Sequence, residues 1–484
     1  MLTRLQVKGF KNLVDVDVRF GPFTCIAGAN GIGKSNLFDA IFFLSALAEI
    51  PFLDAAMSVR DETGRSGDVR TLFHRTGDSY AEEMSFDAEM IVPPEGTDDL
   101  GQPAHAKITF LRYAVTLRYR REESSPASGR LDLLSESLTH IRMGDAHSHL
   151  LFPHAVGEWR RTAVKGSGTA HRTAPFISTE AAQGKIRVHQ DGGSGNARSL
   201  LAASLPRTAL STVNAAEAPT ATMARKEMRS WRLLRLEPSC LRRPDPFNAS
   251  PRLGTDGSHL AATLHRLARS PMAYPQVANR LAELIGDVRS VSVERDERRE
   301  LFTLTLTGMD GVIHPARALS DGTLRFLALA ALDLDPETTG LLCLEEPENG
   351  IHPERIPAIL ELLRDIAMDV HEPVGPDNPL RQVIVNTHSP SVVSEMLEDD
   401  VLIASLRESD CPGRGVCKSL AFGCLPNTWR DLKANVPTVP PGVFLPYLKP
   451  IVFGKRSAES GPNGIRGPRV ADRKDLQAAF DFGN

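Results

Sequence analysis

The chain of 484 residues is long enough for two or three domains, or for one large domain carrying an insertion. Its 41 % apolar and 24 % charged residues are ordinary for a globular protein, and a net charge of −4 leaves no whole-chain basic footprint for nucleic acid. Six scattered cysteines exclude a disulfide framework, and the absence of a signal-like N-terminus or of any run of about 20 apolar residues points to a cytoplasmic protein away from the membrane.

Along the chain, Leu5, Val7, Val14, Val16, Val18 and Phe20 alternate with polar residues, which predicts two half-buried strands around a turn at GFKN (9–12). FTCIAG (23–28) is a short apolar run ending in glycine and predicts a buried strand. Leu37, Ala40, Ile41, Leu44 and Ala48 then recur at helical spacing until Pro51. Strand patterning returns from about 80 to 140. Residues 145–225, rich in Gly, Ser, Thr and Ala, keep no period and read as an insertion or irregular subdomain. Six of the 14 histidines fall between His140 and His189, but at spacings that fit no zinc template, so they read as solvated loop residues. Helices are predicted over 256–271 and 274–287, and a hairpin over 301–316 turning at Met309-Asp310-Gly311. A helix over 323–334, a strand over 341–344, a helix from 354 to about 370 and a buried strand over 381–389 follow. Cys411, Cys417 and Cys424 read as loop cysteines, and the Gly/Pro-rich stretch from about Lys455 as a mobile tail. Strands alternating with helices at both ends of a β-rich middle predict an α/β fold whose parallel sheet is interrupted by a large insertion. Prolines throughout the middle exclude a long coiled-coil arm.

Gly28-Ala29-Asn30-Gly31-Ile32-Gly33-Lys34-Ser35 matches GxxxxGK[ST] in full, between a predicted strand and a predicted helix. Its glycines let backbone N–H groups curl around a phosphate at the positive end of the helix, and Asn30 and Asn36 are counted with this loop. Lys34 is expected to reach the β- and γ-phosphates of ATP and Ser35 to ligate Mg²⁺; the alternative is a glycine-rich turn that binds nothing. LLCLEE (341–346) ends a buried strand in two carboxylates, Glu345 at the metal position and Glu346 at the water position, against the alternative of a charged corner. ALSDGTLRF (318–326) holds no catalytic acid or base, yet Ser320 and Gly322 open a helix N-terminus suited to an anion. Two such cradles are hard to use on one phosphate tail, so the economical arrangement is two copies sandwiching ATP, each offering this segment to its partner's γ-phosphate. His388 ends the 381–389 strand, placed to sense a γ-phosphate or a water, or else simply structural.

These motifs in this order resemble the ABC-type ATPase head of the RecF, SMC and OLD group, nearest to stand-alone bacterial AAA family ATPases of the RecF/OLD kind. The resemblance is carried by the GFKNL strands, GANGIGKSN, LSDGTLRF, and LLCLEEPENGIHP with VIVNTHSP, and covers roughly residues 1–50 and 250–405. It implies a P-loop NTPase fold with a mixed sheet core and an inserted β-rich subdomain. The expected parts are an N-terminal ATPase lobe (1–140), an insertion (141–235), a C-terminal ATPase lobe (236–405) and an extension (406–484). It further implies Glu346 as catalytic base beside Lys34, His388 as switch histidine, and Ser320 and Gly322 on the γ-phosphate in trans. Glu345 stands where the group has Asp, one methylene longer, and no Q-loop glutamine is evident, though His74 lies near the expected place. No strand ending in EG with a later DxD follows His388, so no built-in TOPRIM nuclease is expected. The function expected is an ATP-hydrolysing homodimer or higher oligomer that drives a separately encoded effector, a nuclease or toxin, in anti-phage defence. DNA is a further candidate partner, a RecF-like repair ATPase the alternative, and a transporter subunit a more distant one.

Overall fold

The structure is a computed structural model that describes residues 1–59, 68–121, 129–166, 174–191, 197–269, 273–286, 288–411, 415–440 and 442. His171 and the expected tail from Lys455 lie outside the described residues. The chain opens with β1 (Leu2–Phe10) and β2 (Leu13–Arg19), paired so that Leu5 faces Val18 and Val7 faces Val16, all four buried. β3 (Phe23–Ala27), buried at every residue, then leads into α1 (Ser35–Leu47). Three long strands follow: β4 (Glu83–Ile91), β5 (Phe110–Arg121) and β6 (Gly129–His140). Short β7 (Ile177–Glu180), β8 (Lys185–Val188) and β9 (Arg198–Leu201) extend them. α2 (Pro219–Arg229) precedes β10 (Arg232–Leu234), then α3 (Leu260–Leu267) and α4 (Ala273–Ile285). Next come the hairpin strands β11 (Ser290–Asp296), β12 (Leu301–Thr307) and β13 (Ile313–Pro315). The last part runs through α5 (Asp321–Leu334), β14 (Gly340–Glu345), α6 (Ile356–Ile366), β15 (Arg381–Thr387), β16 (Val401–Cys411) and β17 (Gly415–Gly423).

Two sheets organise these elements. An antiparallel sheet has the order β9-β8-β7-β6-β5-β4-β1-β2, with one face buried and one polar face outward, which is why its strands alternate. The second has the order β10-β14-β15-β3-β16-β17; its first five strands are parallel and β17 closes it antiparallel. Ile26, Leu341, Cys343 and Ile384 on one face of this sheet join α1 and the antiparallel sheet in one core. Cys25, Ala27, Leu344, Val383 and Val385 on the other face pack with α5 and α6 in a second core. Burial on both faces accounts for strands that read as unbroken apolar runs. Gln382 of β15 welds the layers, accepting from the Leu2 N–H at 2.8 Å and donating to the Leu2 and Gly21 carbonyls at 2.7 and 2.8 Å.

Several local expectations are corrected. The first helix of the 256–287 pair runs only over Leu260–Leu267, because Gly257 (φ 89°) and His259 (φ 66°) adopt left-handed backbone that an α-helix cannot contain. The helix expected to reach about 370 stops at Ile366; Ala367 is extended and the Met368 N–H donates to the Arg381 carbonyl at 3.1 Å. Cys411 and Cys417 lie in the paired strands β16 and β17 rather than in a loop, and Cys424 just beyond them is buried. Within 145–225, β7, β8 and β9 add to the antiparallel sheet, each too short at four residues to show a period.

Candidate functional site

Parallel pairing brings the carboxyl ends of β3, β14 and β15 together. The register sets Glu345 beside Asn386, Asn386 beside Ile26, and Thr387 beside Ala27, so the next residues of all three strands emerge at one edge, where open α/β sheets form their ligand crevice. From β3 emerges the glycine loop, with Gly31 at φ 76° and Gly33 at φ 93°. A side chain at Gly33 would collide with Asn12, whose Nδ2 lies 2.2 Å from the place a Cβ would take. Lys34, buried at the start of α1, donates from Nζ to the Gly28 and Ala29 carbonyls at 2.8 and 2.9 Å, so its ammonium is folded over its own loop. Burial lowers the pKa of Lys34, opposed by the attraction of Glu346, Glu348 and Glu345.

The β1–β2 turn braces this loop, a role that its sequence did not signal. Asn12 donates from Nδ2 to the Ile32 carbonyl at 2.8 Å and accepts on Oδ1 from Asn36 Nδ2 at 2.9 Å. Beside it Lys11, at φ 46°, pairs with Asp39 of α1 at 2.9 Å. His74 sits behind the same turn, its Nδ1 2.7 Å from the Lys11 carbonyl, and is not among the residues lining the cavity described below.

Across the crevice, Glu346 adopts φ 45°, strained for a residue with a Cβ. Its N–H meets the Asn386 carbonyl at 2.9 Å and Asn386 Oδ1 at 3.2 Å, which holds the turn. The side chain is gripped on both oxygens: Asn349 Nδ2 donates to Oε2 at 2.7 Å, and His388 Nδ1 lies 2.7 Å from Oε1. Glu345, at the end of β14, lies 3.9 Å from Arg235 Nε. Glu348, which the sequence reading passed over, is buried, and burial raises its pKa above the ordinary carboxyl value.

A cavity of about 590 Å³ joins the two corners, lined by Asn30, Gly31, Gly33, Lys34 and Ser35 on one side and Glu345, Glu346 and Asn386 on the other. That volume is in the range of small-molecule sites. Two cations absent from the sequence reading also line it: Arg235 after β10, and Arg325 of α5, whose guanidinium donates to the Asn349 carbonyl. Among the described residues no group of three or more His, Cys, Asp or Glu could hold a metal by itself. A hydroxyl and a carboxylate, Ser35 and Glu345, do face the same cavity, which is the oxygen donor set that suits Mg²⁺ shared with substrate phosphates. Ser320 and Gly322 stand apart from this lining. Ser320 caps α5, accepting from the Thr323 N–H at 3.1 Å, and Gly322 packs against Gly350 and Ile351.

The profile of a family described as "AAA domain, putative AbiEii toxin, Type IV TA system" matches residues 23–110 and 221–394, together more than half of the chain. It passes over 111–220, the stretch holding nearly all of β5 and the whole of β6 to β9. Short matches link the chain to an OLD nuclease of Thermus scotoductus, 54 % identical over 41 residues, and to the DNA replication and repair protein RecF of Phocaeicola vulgatus, 41 % identical over 46. They cover 8 % and 9 % of this chain and only 8 % and 12 % of those relatives. Among solved structures, an SMC head bound to the C-winged helix domain of ScpA covers 88 % of this chain and 98 % of its own, at 13 % identity and a TM-score of 0.46. The SMC head domain from Thermotoga maritima covers the same shares at 12 % identity and a TM-score of 0.37.

Proposed function

This chain belongs to the AAA domain family and has an ABC-type ATPase fold of the RecF/SMC/OLD kind, and on that premise we propose that it binds and hydrolyses ATP between two copies of itself. The observation that carries the proposal is that Lys34, Ser35, Glu345 and Glu346 all line one cavity, with His388 2.7 Å from Glu346. In this reading Lys34 exchanges the Gly28 and Ala29 carbonyls for β- and γ-phosphate oxygens, a charge-assisted replacement for neutral contacts. The glycine loop and Asn30, Asn36 and Asn12 set the backbone donors around the phosphates. Ser35 and Glu345 would hold Mg²⁺, which supplies charge neutralisation for the phosphates. Glu346, aimed by Asn349 and His388, takes the proton of the attacking water and becomes a neutral carboxylic acid, while both partners keep its carboxyl oriented.

Ser320 and Gly322 complete the site from the partner copy. Their place on α5, outside the cavity of their own chain, supports a trans role. The ATP cycle drives a separately encoded effector, nuclease or toxin, or a DNA transaction, in anti-phage defence. The family's description, which names an AbiEii toxin and a Type IV TA system, supports a partnered role. The match to RecF supports the second reading, a DNA-repair ATPase without a toxic partner. The test is complementation between defective chains. Lys34→Ala and Ser320→Arg are each expected to be inactive alone, while their mixture regains ATP hydrolysis at one composite site; a mixture as inactive as its parts overturns the trans arrangement.

A further inference from the structure

The segment 345–349 carries a third glutamate, Glu348, which lines no part of the cavity and is nine-tenths buried. Its Oε1 accepts from Thr387 Oγ1 at 2.5 Å, and the same Oγ1 accepts from the Ser389 N–H at 2.9 Å. Its Oε2 is buried with no hydrogen-bond partner from another described residue. A buried carboxyl oxygen with no partner from another residue is costly to keep, so its presence here calls for a compensating role. Two side-chain links therefore tie the 346–348 turn to the end of β15 in parallel: Glu346 to His388, and Glu348 to Thr387. The links differ in kind. The first is half-exposed at the cavity edge, whereas the second is buried behind it.

We propose that Glu348 is a positioning residue, whose grip on Thr387 fixes the end of β15 and so holds His388 against Glu346. The inference rests on the ATPase reading given above. Thr387 directly precedes His388, and its hydroxyl donates to the Glu348 carboxyl while accepting from the Ser389 N–H, so the residues on both sides of His388 are joined through the hydroxyl that Glu348 holds. Without that clamp His388 would be free to rotate away from Glu346, and loss of alignment at a reacting centre is costly even at about 1 Å. Burial raises the Glu348 pKa above the ordinary carboxyl value, and the neighbouring Glu346 acts in the same direction.

The test measures ATP turnover and ATP affinity of the full-length chain separately. Glu348→Ala and Thr387→Val are each expected to lower kcat by about 10- to 100-fold while ATP affinity stays within about twofold. The double variant is expected to be no worse than the single ones, because both remove one link. Thr387→Ser and Glu348→Gln, which keep the hydroxyl and an acceptor, are expected to retain most turnover and guard against a folding defect. Losses that multiply in the double variant, or a fall in affinity with kcat unchanged, overturn the positioning role. Wild-type turnover with full activity in Glu348→Ala overturns this inference alone, whereas a wild type that hydrolyses no ATP overturns the ATPase reading and this inference with it.

Discussion

The antiparallel and the mixed sheet both contain glutamates in or beside buried strands, and they use them in opposite ways. Glu136 of β6 lies wholly inside, its carboxyl accepting from the Ala209 and Leu210 N–H groups at 2.6 and 2.8 Å and from the Tyr113 hydroxyl at 3.2 Å. It ties a strand to a distant turn, and every contact is spent on holding the chain. Glu345 and Glu346 stand where β14 ends, partly exposed and facing a cavity. A carboxyl in mid-strand can only be satisfied by the protein around it, while one at the end of a parallel strand remains available to a ligand. Here the difference between a structural staple and a carboxyl that lines a cavity follows a residue's place along its strand rather than its type.

The largest expected effect falls on the mixed sheet. Lys34→Ala would remove the phosphate contacts proposed for it, each of about 1.5–3 kcal/mol, and is expected to weaken ATP binding at least about 100-fold with little change in thermal stability. Isothermal titration alongside a melting curve checks it, and unchanged affinity would sink the loop assignment. The second effect belongs to Glu136, whose folded pKa burial raises from 4.5 to about 7. The folded state thus holds a proton that the unfolded state has released between those values, so this group's stabilisation is complete below about pH 4.5 and lost as pH rises through about 7. The stability of the wild type relative to Glu136→Gln is expected to fall across that window, with ATP affinity unaffected; a constant difference counts against the account. The smallest effect is the one that blurs the comparison. Asn12 belongs to the antiparallel sheet's first turn yet braces the glycine loop, so Asn12→Ala is expected to cost about 1 kcal/mol in stability and several-fold in ATP affinity. A stability change with affinity untouched would return that turn to a purely structural role.

What the sequence disclosed follows the same division. The glycine loop was legible because its physics is local: eight consecutive residues carry the donors, the left-handed turns and the lysine. Glu345 and Glu346 were legible because an apolar run cannot end in two carboxylates without a reason. Asn12, Arg325 and Glu348 were not, since each acts through a partner that no spacing rule connects to it; Glu348 and Thr387 are 39 residues apart. The strands β7 to β9 escaped because four residues cannot establish a period, and the three-residue β10 because its pairing with β14 gives it an identity that its own residues lack.

In the proposed mechanism Glu346 is the group that activates water at a site where ATP can still bind without it. Single-turnover hydrolysis by Glu346→Gln, measured beside its ATP affinity, tests this most directly. The expected result is affinity within a few-fold of the wild type and a hydrolysis rate lower by about 10²- to 10⁴-fold. Hydrolysis at the wild-type rate would contradict the assignment and move the base to another residue.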